Sequence, residues 1–130
     1  MQATSNFQVY NASAGSGKTF TLVKEYLKVV LLSEDRFVFQ KILAITFTNK
    51  AASEMKERVL KNLQLFSEGK ENSEFLDILK ETQLDKSTIQ KRSSIILEAI
   101  LQNYSAFGIT TIDSFTHKII KSFAFDLGLN

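Results

Sequence analysis

The sequence predicts an α/β fold in which a parallel sheet is flanked by helices. Short apolar runs typical of buried strands alternate along the chain with longer segments whose apolar residues recur every three to four positions, as in amphipathic helices. A glycine-rich loop joins the first of these strands to the first helix. Strands and helices that alternate in this way form parallel sheets, and ligands bind at the carboxyl ends of the strands.

The first strand and the first helix stand on either side of the glycine-rich loop. Residues 7–10 read as a short strand, and a helix is predicted over residues 20–33. Six apolar residues of that helix share one face, which we expect to be buried: Leu22, Val23, Tyr26, Leu27, Val30 and Leu31.

The second strand and the second helix follow the same pattern. Residues 41–47 are a short apolar run, typical of a strand buried on both faces. A helix is predicted to begin near Asn49 and to end at residues 67–70. Its predicted inner face consists of five apolar residues: Ala52, Met55, Val59, Leu63 and Phe66.

A helical region then separates the second strand from a third. Residues 73–81 predict a short helix, and Ser87 is a candidate N-cap for a longer one that reaches about Tyr104. Its predicted inward residues are Ile89, Ile96, Leu97, Ile100 and Tyr104. Gly108 is expected to break this helix, before a third strand over residues 109–112.

The last predicted element is a helix near the end of the sequence. Ser114 is its candidate N-cap, and Gly128 suits its C-cap. The residues predicted to share one face are Phe115, Ile119, Phe123 and Leu127. A three-stranded piece of a larger sheet is expected to leave a sheet edge and apolar helix faces uncovered.

Composition narrows the possible classes of protein. The 130 residues correspond to one domain or part of one. The absence of cysteine excludes disulfides and thiolate metal sites, and a single histidine cannot by itself form a zinc site. With no apolar run of membrane-spanning length and no signal-peptide pattern, the predicted location is the cytoplasm.

Charge is nearly balanced overall but uneven along the chain. The net charge of +2 argues against a protein that selects its partner by bulk charge. Residues 41–61 hold five basic and two acidic side chains, whereas residues 68–81 hold two basic and five acidic ones. An ordinary solvated helix face is the favoured interpretation of the acidic stretch.

The glycine-rich loop is a candidate phosphate-binding site. Residues 12–19 fit the pattern G-x-x-x-x-G-K-[S/T] with alanine in the first position. Gly15 and Gly17 allow successive backbone N–H groups to point at a phosphate, and the helix dipole adds positive potential. A flexible turn is the alternative interpretation, which the flanking strand and helix disfavour.

In this loop Lys18 is the candidate ligand of the β- and γ-phosphates, and the Thr19 hydroxyl is the candidate Mg²⁺ ligand. These two residues are also the candidate catalytic residues. The predicted nucleotide-binding residues are Ala12, Ser13, Ala14, Gly15, Ser16, Gly17, Lys18, Thr19 and Phe20.

Polar side chains also gather where the second strand ends. The hydroxyls, amide and ammonium at the start of the following helix are natural contacts for the phosphates of a nucleic acid, and an exposed Phe47 could stack on a base. The alternative is that Thr48 or Asn49 only caps the helix while Phe47 is a core residue. The candidate DNA-binding residues here are Thr46, Phe47, Thr48, Asn49 and Lys50.

The end of the third strand repeats this arrangement. The candidate DNA-binding residues are Thr111, Asp113, Ser114 and Phe115. The alternative is again a plain N-cap, here supplied by Asp113 or Ser114. His117, one turn into the helix, is interpreted as a surface or packing residue.

Three segments together resemble superfamily 1 DNA helicases of the UvrD/RecB type. Residues 12–22 (ASAGSGKTFTL) resemble the Walker A motif, residues 42–59 (ILAITFTNKAASEMKERV) resemble motif Ia, and residues 110–115 (TTIDSF) resemble the next DNA-contacting motif. The helical segment at about residues 67–107 resembles the insert of the RecB and AddA helicase–nucleases. The similarity spans about residues 7–127.

The resemblance implies an incomplete P-loop NTPase fold of the RecA-like type with a helical insert at about residues 67–107. Residues 1–130 would be part of the ATP-binding domain of a DNA helicase or helicase–nuclease subunit that translocates on single-stranded DNA in repair and recombination. ATP and Mg²⁺ are the implied cofactors. The implied partners are single-stranded or duplex-end DNA, the remaining helicase domains and a nuclease subunit.

Two departures from the family pattern qualify this expectation. Relatives commonly have histidine at the position of Asp113, and a carboxylate repels phosphate, so Asp113 is expected to contact a base or a backbone N–H. The acidic D-E-x-x box and the arginine finger of the family are also missing from these residues. The chain is therefore expected to bind nucleotide weakly and not to hydrolyse it at a useful rate on its own.

The sequence is also compatible with two other functions. The loop alone is compatible with a stand-alone P-loop nucleotide-binding module or a small phosphotransferase. A non-catalytic interaction domain is the third possibility.

Overall fold

The described residues form an α/β structure with a parallel sheet, as the sequence predicts. The structure is a computed structural model, and it describes residues 8–9 and 17–128, with side chains from residue 21 onward. The strands are β1 (Gln8–Val9), β2 (Ala44–Thr46) and β3 (Ile109–Thr111). The α-helices in these ranges are α1 (Gly17–Leu32), α2 (Asn49–Ser67), α3 (Ser73–Thr82), α4 (Lys86–Gln102) and α5 (Ile112–Asp126).

The strand β2 lies between β1 and β3 and pairs with both in parallel. Ala44 is opposite both Gln8 and Ile109, and Thr46 is opposite Thr111. Because β2 and β3 end at the same level, the segments that follow them leave the sheet at one edge.

The predicted inner faces of α1 and α2 are confirmed. All six apolar residues predicted for α1 and all five predicted for α2 are buried. The periodicity of 3.6 residues per turn therefore located the core correctly on both helices.

Helices α3 and α4 occupy the predicted helical region and pack on the first two helices. Asn72 caps α3, because its Oδ1 accepts a hydrogen bond from the Phe75 N–H at 2.9 Å. Its amide also donates to Oδ1 of Asn62 in α2 at 2.8 Å, and the rings of Phe66 and Phe75 meet edge to face at 5.2 Å. The start of α3 is thus attached to the side of α2 by both polar and aromatic contacts.

Two predicted helix caps are wrong by two or three residues. Helix α4 is capped by Asp85, whose Oδ1 accepts from the Thr88 N–H at 3.1 Å, and not by Ser87. Helix α5 is capped by Thr111, so Ile112 is helical and Ser114 lies in the first turn. Several residues with capping side chains are adjacent at both places, and their order in the sequence does not decide between them.

Tyr104 is also placed differently from the prediction. Helix α4 ends at Gln102, and Tyr104 follows in a short 3₁₀ helix, Tyr104–Ala106, with 47% of its surface exposed. The inward prediction for Ile89, Ile96 and Ile100 is confirmed, since all three are buried.

Gly108 allows a close approach of two chain segments rather than ending a helix. A Cβ atom at this position would lie 2.2 Å from the carbonyl oxygen of Ile42. The Gly108 carbonyl accepts a hydrogen bond from the Ala44 N–H at 2.7 Å. The two segments that lead into β2 and β3 therefore touch through their backbones.

Helix α5 contacts the sheet at its start and has no buried residue. Its predicted apolar face is exposed along most of its length, with Phe115 half-buried at the beginning. The exposed large apolar residues of this helix and its C-cap are Ile119, Ile120, Phe123, Phe125 and Leu127.

Arg92 of α4 supports the carboxyl end of α1, and its removal should lower stability. Its Nη1 donates a hydrogen bond to the Leu31 carbonyl at 2.8 Å, where the last helical carbonyls lack partners within the helix. We expect Arg92→Ala to lower the free energy of unfolding by about 1–2 kcal/mol in urea titrations. Arg36→Ala, at an exposed arginine, is the control and should change it by less than about 0.5 kcal/mol. Equal midpoints for the two variants would contradict this role of Arg92.

Candidate site at the carboxyl edge of the sheet

The ends of β2 and β3 are joined by a threonine side chain. The Thr46 hydroxyl is within hydrogen-bond distance of two carbonyl oxygens, that of Thr110 in β3 at 3.3 Å and that of Thr48 at 3.2 Å. Thr46 itself is buried. The structure therefore brings the second and third candidate segments together, as the sequence predicts, and Thr46 holds the strand ends to each other.

The residues that follow β2 are exposed at this edge. Phe47 has 51% of its surface exposed, so its interpretation as a core residue is wrong. Asn49 and Lys50 are exposed in the first turn of α2. An aromatic ring and an ammonium group are thus both accessible to a ligand.

Thr48 has the capping role that was the alternative to ligand binding. Its Oγ1 accepts a hydrogen bond from the Ala51 N–H at 3.0 Å. The residue as a whole is nevertheless exposed, as are Asn49 and Lys50, which follow it in the chain.

The start of α5 repeats the arrangement with a different cap. The Thr111 Oγ1 accepts from the Ser114 N–H at 3.2 Å and donates to the Ser114 Oγ at 3.0 Å. Asp113 and Ser114 are exposed, and Phe115 is half-buried. The Asp113 carboxylate lies in the first turn, where the helix dipole favours a negative charge. His117 is exposed, in agreement with its interpretation as a surface residue.

The residues of the candidate phosphate-binding loop fall mostly outside the described part of the chain. Residues 12–16 are not described, and the structure gives only the helical backbone of residues 17–20. Lys18 and Thr19 lie in the first turn of α1. Because β1 runs parallel to β2, with Val9 opposite Ile45, the chain leaves β1 at the same edge as it leaves β2. The roles predicted for residues 12–20 remain predictions.

The described residues contain neither a cluster of metal ligands nor a membrane-spanning helix. No group of three or more histidine, aspartate and glutamate side chains there is arranged to hold a metal ion. No helix in the same part of the chain is long and apolar enough to cross a membrane.

Comparison with known families decides which family this is. The model of the UvrD/REP helicase N-terminal domain matches residues 2–130. The chain belongs to this family. The resemblance predicted from the three sequence segments is thereby confirmed.

Curated relatives of this UvrD/REP-type chain include proteins named as subunits of an ATP-dependent helicase/nuclease. The one from Thermoanaerobacter sp. strain X514 is 36% identical over 94 residues, which is 72% of this chain and 8% of that protein. The one from Clostridium perfringens strain SM101 is 38% identical over 93 residues, covering 72% and 7%. The one from Clostridium kluyveri strain ATCC 8527 is 34% identical over 111 residues, covering 85% and 7%.

This UvrD/REP-type chain thus spans less than a tenth of the length of these curated relatives. No solved structure matches the chain significantly.

The sequence predicted the exposed candidate residues at this edge of the sheet, but it did not predict the Thr46 cross-strand hydrogen bond or the Thr111 cap. The Thr46 hydrogen bond depends on the register of β2 against β3, which cannot be read from the sequence.

Proposed function

We propose that this chain is the ATP-binding part of an ATP-dependent DNA helicase or helicase–nuclease subunit that translocates on single-stranded DNA. The observation that carries the proposal is the meeting of the exposed segments after β2 and β3 at one edge of the sheet, in a chain of the UvrD/REP family. The relatives named as ATP-dependent helicase/nuclease subunits support the same function.

ATP and Mg²⁺ bind at the start of α1 in this proposal. Residues 12–17 would supply backbone N–H donors to the phosphates, and Lys18 would neutralise the β- and γ-phosphates. The Thr19 hydroxyl is a ligand of Mg²⁺. A parallel sheet in which β1 precedes α1 along the chain supports a P-loop fold of the RecA-like type.

Single-stranded DNA binds along the same edge. Phe47 stacks on a base, and the exposed groups of Asn49 and Lys50 contact phosphates. The second segment contributes the exposed Asp113 and Ser114 and the half-buried Phe115, with Asp113 directed at a base or backbone N–H, while the buried Thr111 caps α5 behind them. The exposure of Phe47 and Lys50 supports these roles.

Hydrolysis requires groups from outside these 130 residues. In our proposal, residues 1–130 form part of the first motor domain, and an acidic box and an arginine finger elsewhere in the protein complete the catalytic site. The partners are DNA, the remaining helicase domains and a nuclease subunit, in cytoplasmic DNA repair and recombination. Without those groups, the fragment binds ATP weakly and turns it over too slowly to be useful.

The Phe47 side chain gives a direct test of DNA binding. Phe47→Ala in the intact protein should weaken the binding of single-stranded DNA by about 1–3 kcal/mol, measured by fluorescence anisotropy at fixed salt. Phe37→Ala is a matched control, because Phe37 is also exposed but comes before β2, as the N-cap of the 3₁₀ helix Val38–Lys41, and not in the segment that follows the strand. Unchanged affinity in Phe47→Ala would remove Phe47 from the DNA site. ATP turnover by residues 1–130 without DNA would instead favour a stand-alone P-loop enzyme.

A further inference from the structure

Three charged side chains connect helix α3 to helix α1. Glu81, in the last turn of α3, accepts a hydrogen bond from Lys24 Nζ at Oε2 (3.0 Å) and from Lys28 Nζ at Oε1 (2.8 Å). Their side chains are only 21–37% exposed. The hydrogen bonds from Lys28 and Lys24 lower the pKa of Glu81, and Glu81 raises the pKa of both lysines. Part of the acidic stretch is therefore not a purely solvated helix face.

Arg92 adds a second connection from the same helical region. Its guanidinium donates to the carbonyl of Leu31 in the last turn of α1. The side chains of Lys24 and Lys28 lie on one face of α1 because they are four residues apart, whereas the Leu31 carbonyl is at the carboxyl end of the helix. Helix α1 is thus held by α3 along its length and by α4 at its end.

The same helix carries the candidate nucleotide ligands. Lys18 and Thr19 lie in the first turn of α1, and Lys24 is about 9 Å further along the helix axis at 1.5 Å per residue. A helix moves as a stiff unit, so a shift or rotation at residues 24–31 also moves the first turn. Binding and transfer of a phosphoryl group depend strongly on such positioning.

We infer that Glu81 and Arg92 are positioning residues for nucleotide binding, because they fix α1, and with it Lys18 and Thr19, against helices α3 and α4. The inference rests on the proposed function, since it requires Lys18 and Thr19 to bind the phosphates of ATP. Linkage makes the coupling reciprocal: bound nucleotide stabilises the attachment of α3 and α4.

Charge reversal at Glu81 in the intact protein tests this inference. Glu81→Lys places a third ammonium beside Lys24 and Lys28. We expect it to raise the Kd of a fluorescent ATP analogue and the KM for ATP by about three- to tenfold. The kcat at saturating ATP should stay within about twofold, because ATP-bound protein has α1 in place.

A control and a rescue separate positioning from general stability. Glu74→Lys also reverses a charge in α3, but Glu74 lies in the first turn, where its Oε2 accepts from the Ser73 hydroxyl. It should lower the melting temperature and leave the Kd for nucleotide unchanged. Adding Lys24→Glu to Glu81→Lys restores one attractive pair and should recover part of the lost affinity.

Each result bears on the inference. If the wild-type protein binds no ATP, the proposed function fails and the inference fails with it. If the wild-type protein binds ATP and Glu81→Lys binds it equally well, or if Glu74→Lys weakens binding as much, the positioning role alone is wrong. Should Glu81→Lys not fold, hydrogen exchange of the wild-type protein decides: ATP must increase protection in residues 73–102, and no increase would overturn the inference.

Discussion

Replacing Lys18 with alanine in the intact protein should abolish DNA-stimulated ATP hydrolysis, lowering kcat by about 100-fold to 1000-fold or more. In the proposed site the Lys18 ammonium neutralises the charge that develops on the transferred phosphoryl group. Most catalysis of phosphoryl transfer is electrostatic stabilisation of this kind, because the protein does little covalent chemistry. The measurement is the steady-state rate of ATP hydrolysis with saturating single-stranded DNA.

Lys61→Ala is the matched control for this variant. Lys61 is an exposed lysine on α2, and its loss removes the same charge far from the start of α1. Its ATP hydrolysis should stay within about twofold of the wild-type rate. If Lys18→Ala keeps its DNA-stimulated activity, the helicase proposal fails, and a non-catalytic interaction domain becomes the better interpretation.

The sequence was most informative where a regular period determines burial. The inner faces of α1 and α2 were predicted residue by residue, because apolar side chains every three to four positions must lie on one side of a helix. The same pattern marked one face of α5, and that face is exposed, as expected where a partial sheet leaves helix faces uncovered. Periodicity shows which residues share a face, but it carries no information about what covers that face.

The candidate site was predicted in outline for a different reason. Parallel strands must end at a common edge, so the order of strands and helices was enough to place residues 46–50 beside residues 111–115. The individual roles depend on finer geometry. Thr46, a predicted DNA contact, is buried with its hydroxyl directed at Thr110 and Thr48, because the register of the strands brings these carbonyls within reach.

Gly108→Ala should be the most destabilising single-methyl change in the described part of the chain, with a loss of about 3 kcal/mol in the free energy of unfolding. The backbone of Gly108 does not have a positive φ, so the need for glycine here is steric. A new Cβ atom would lie 2.2 Å from the Ile42 carbonyl oxygen, which is backbone and cannot rotate away. The two segments would have to separate, and the hydrogen bond from Ala44 to the Gly108 carbonyl would lengthen or break.

Gly128→Ala separates this steric effect from the loss of glycine as such. Gly128 has a φ of +74°, but nothing lies within 4 Å of an added Cβ. Its replacement should therefore cost only the strain of a left-handed residue, about 1 kcal/mol. Urea unfolding of both variants measures the difference, and equal losses would show that the contact between Gly108 and Ile42 is not tight. Because this contact precedes β2 and β3, its loss should also disturb the register of Thr46 with Thr111, so that any folded Gly108→Ala protein binds single-stranded DNA more weakly than Gly128→Ala.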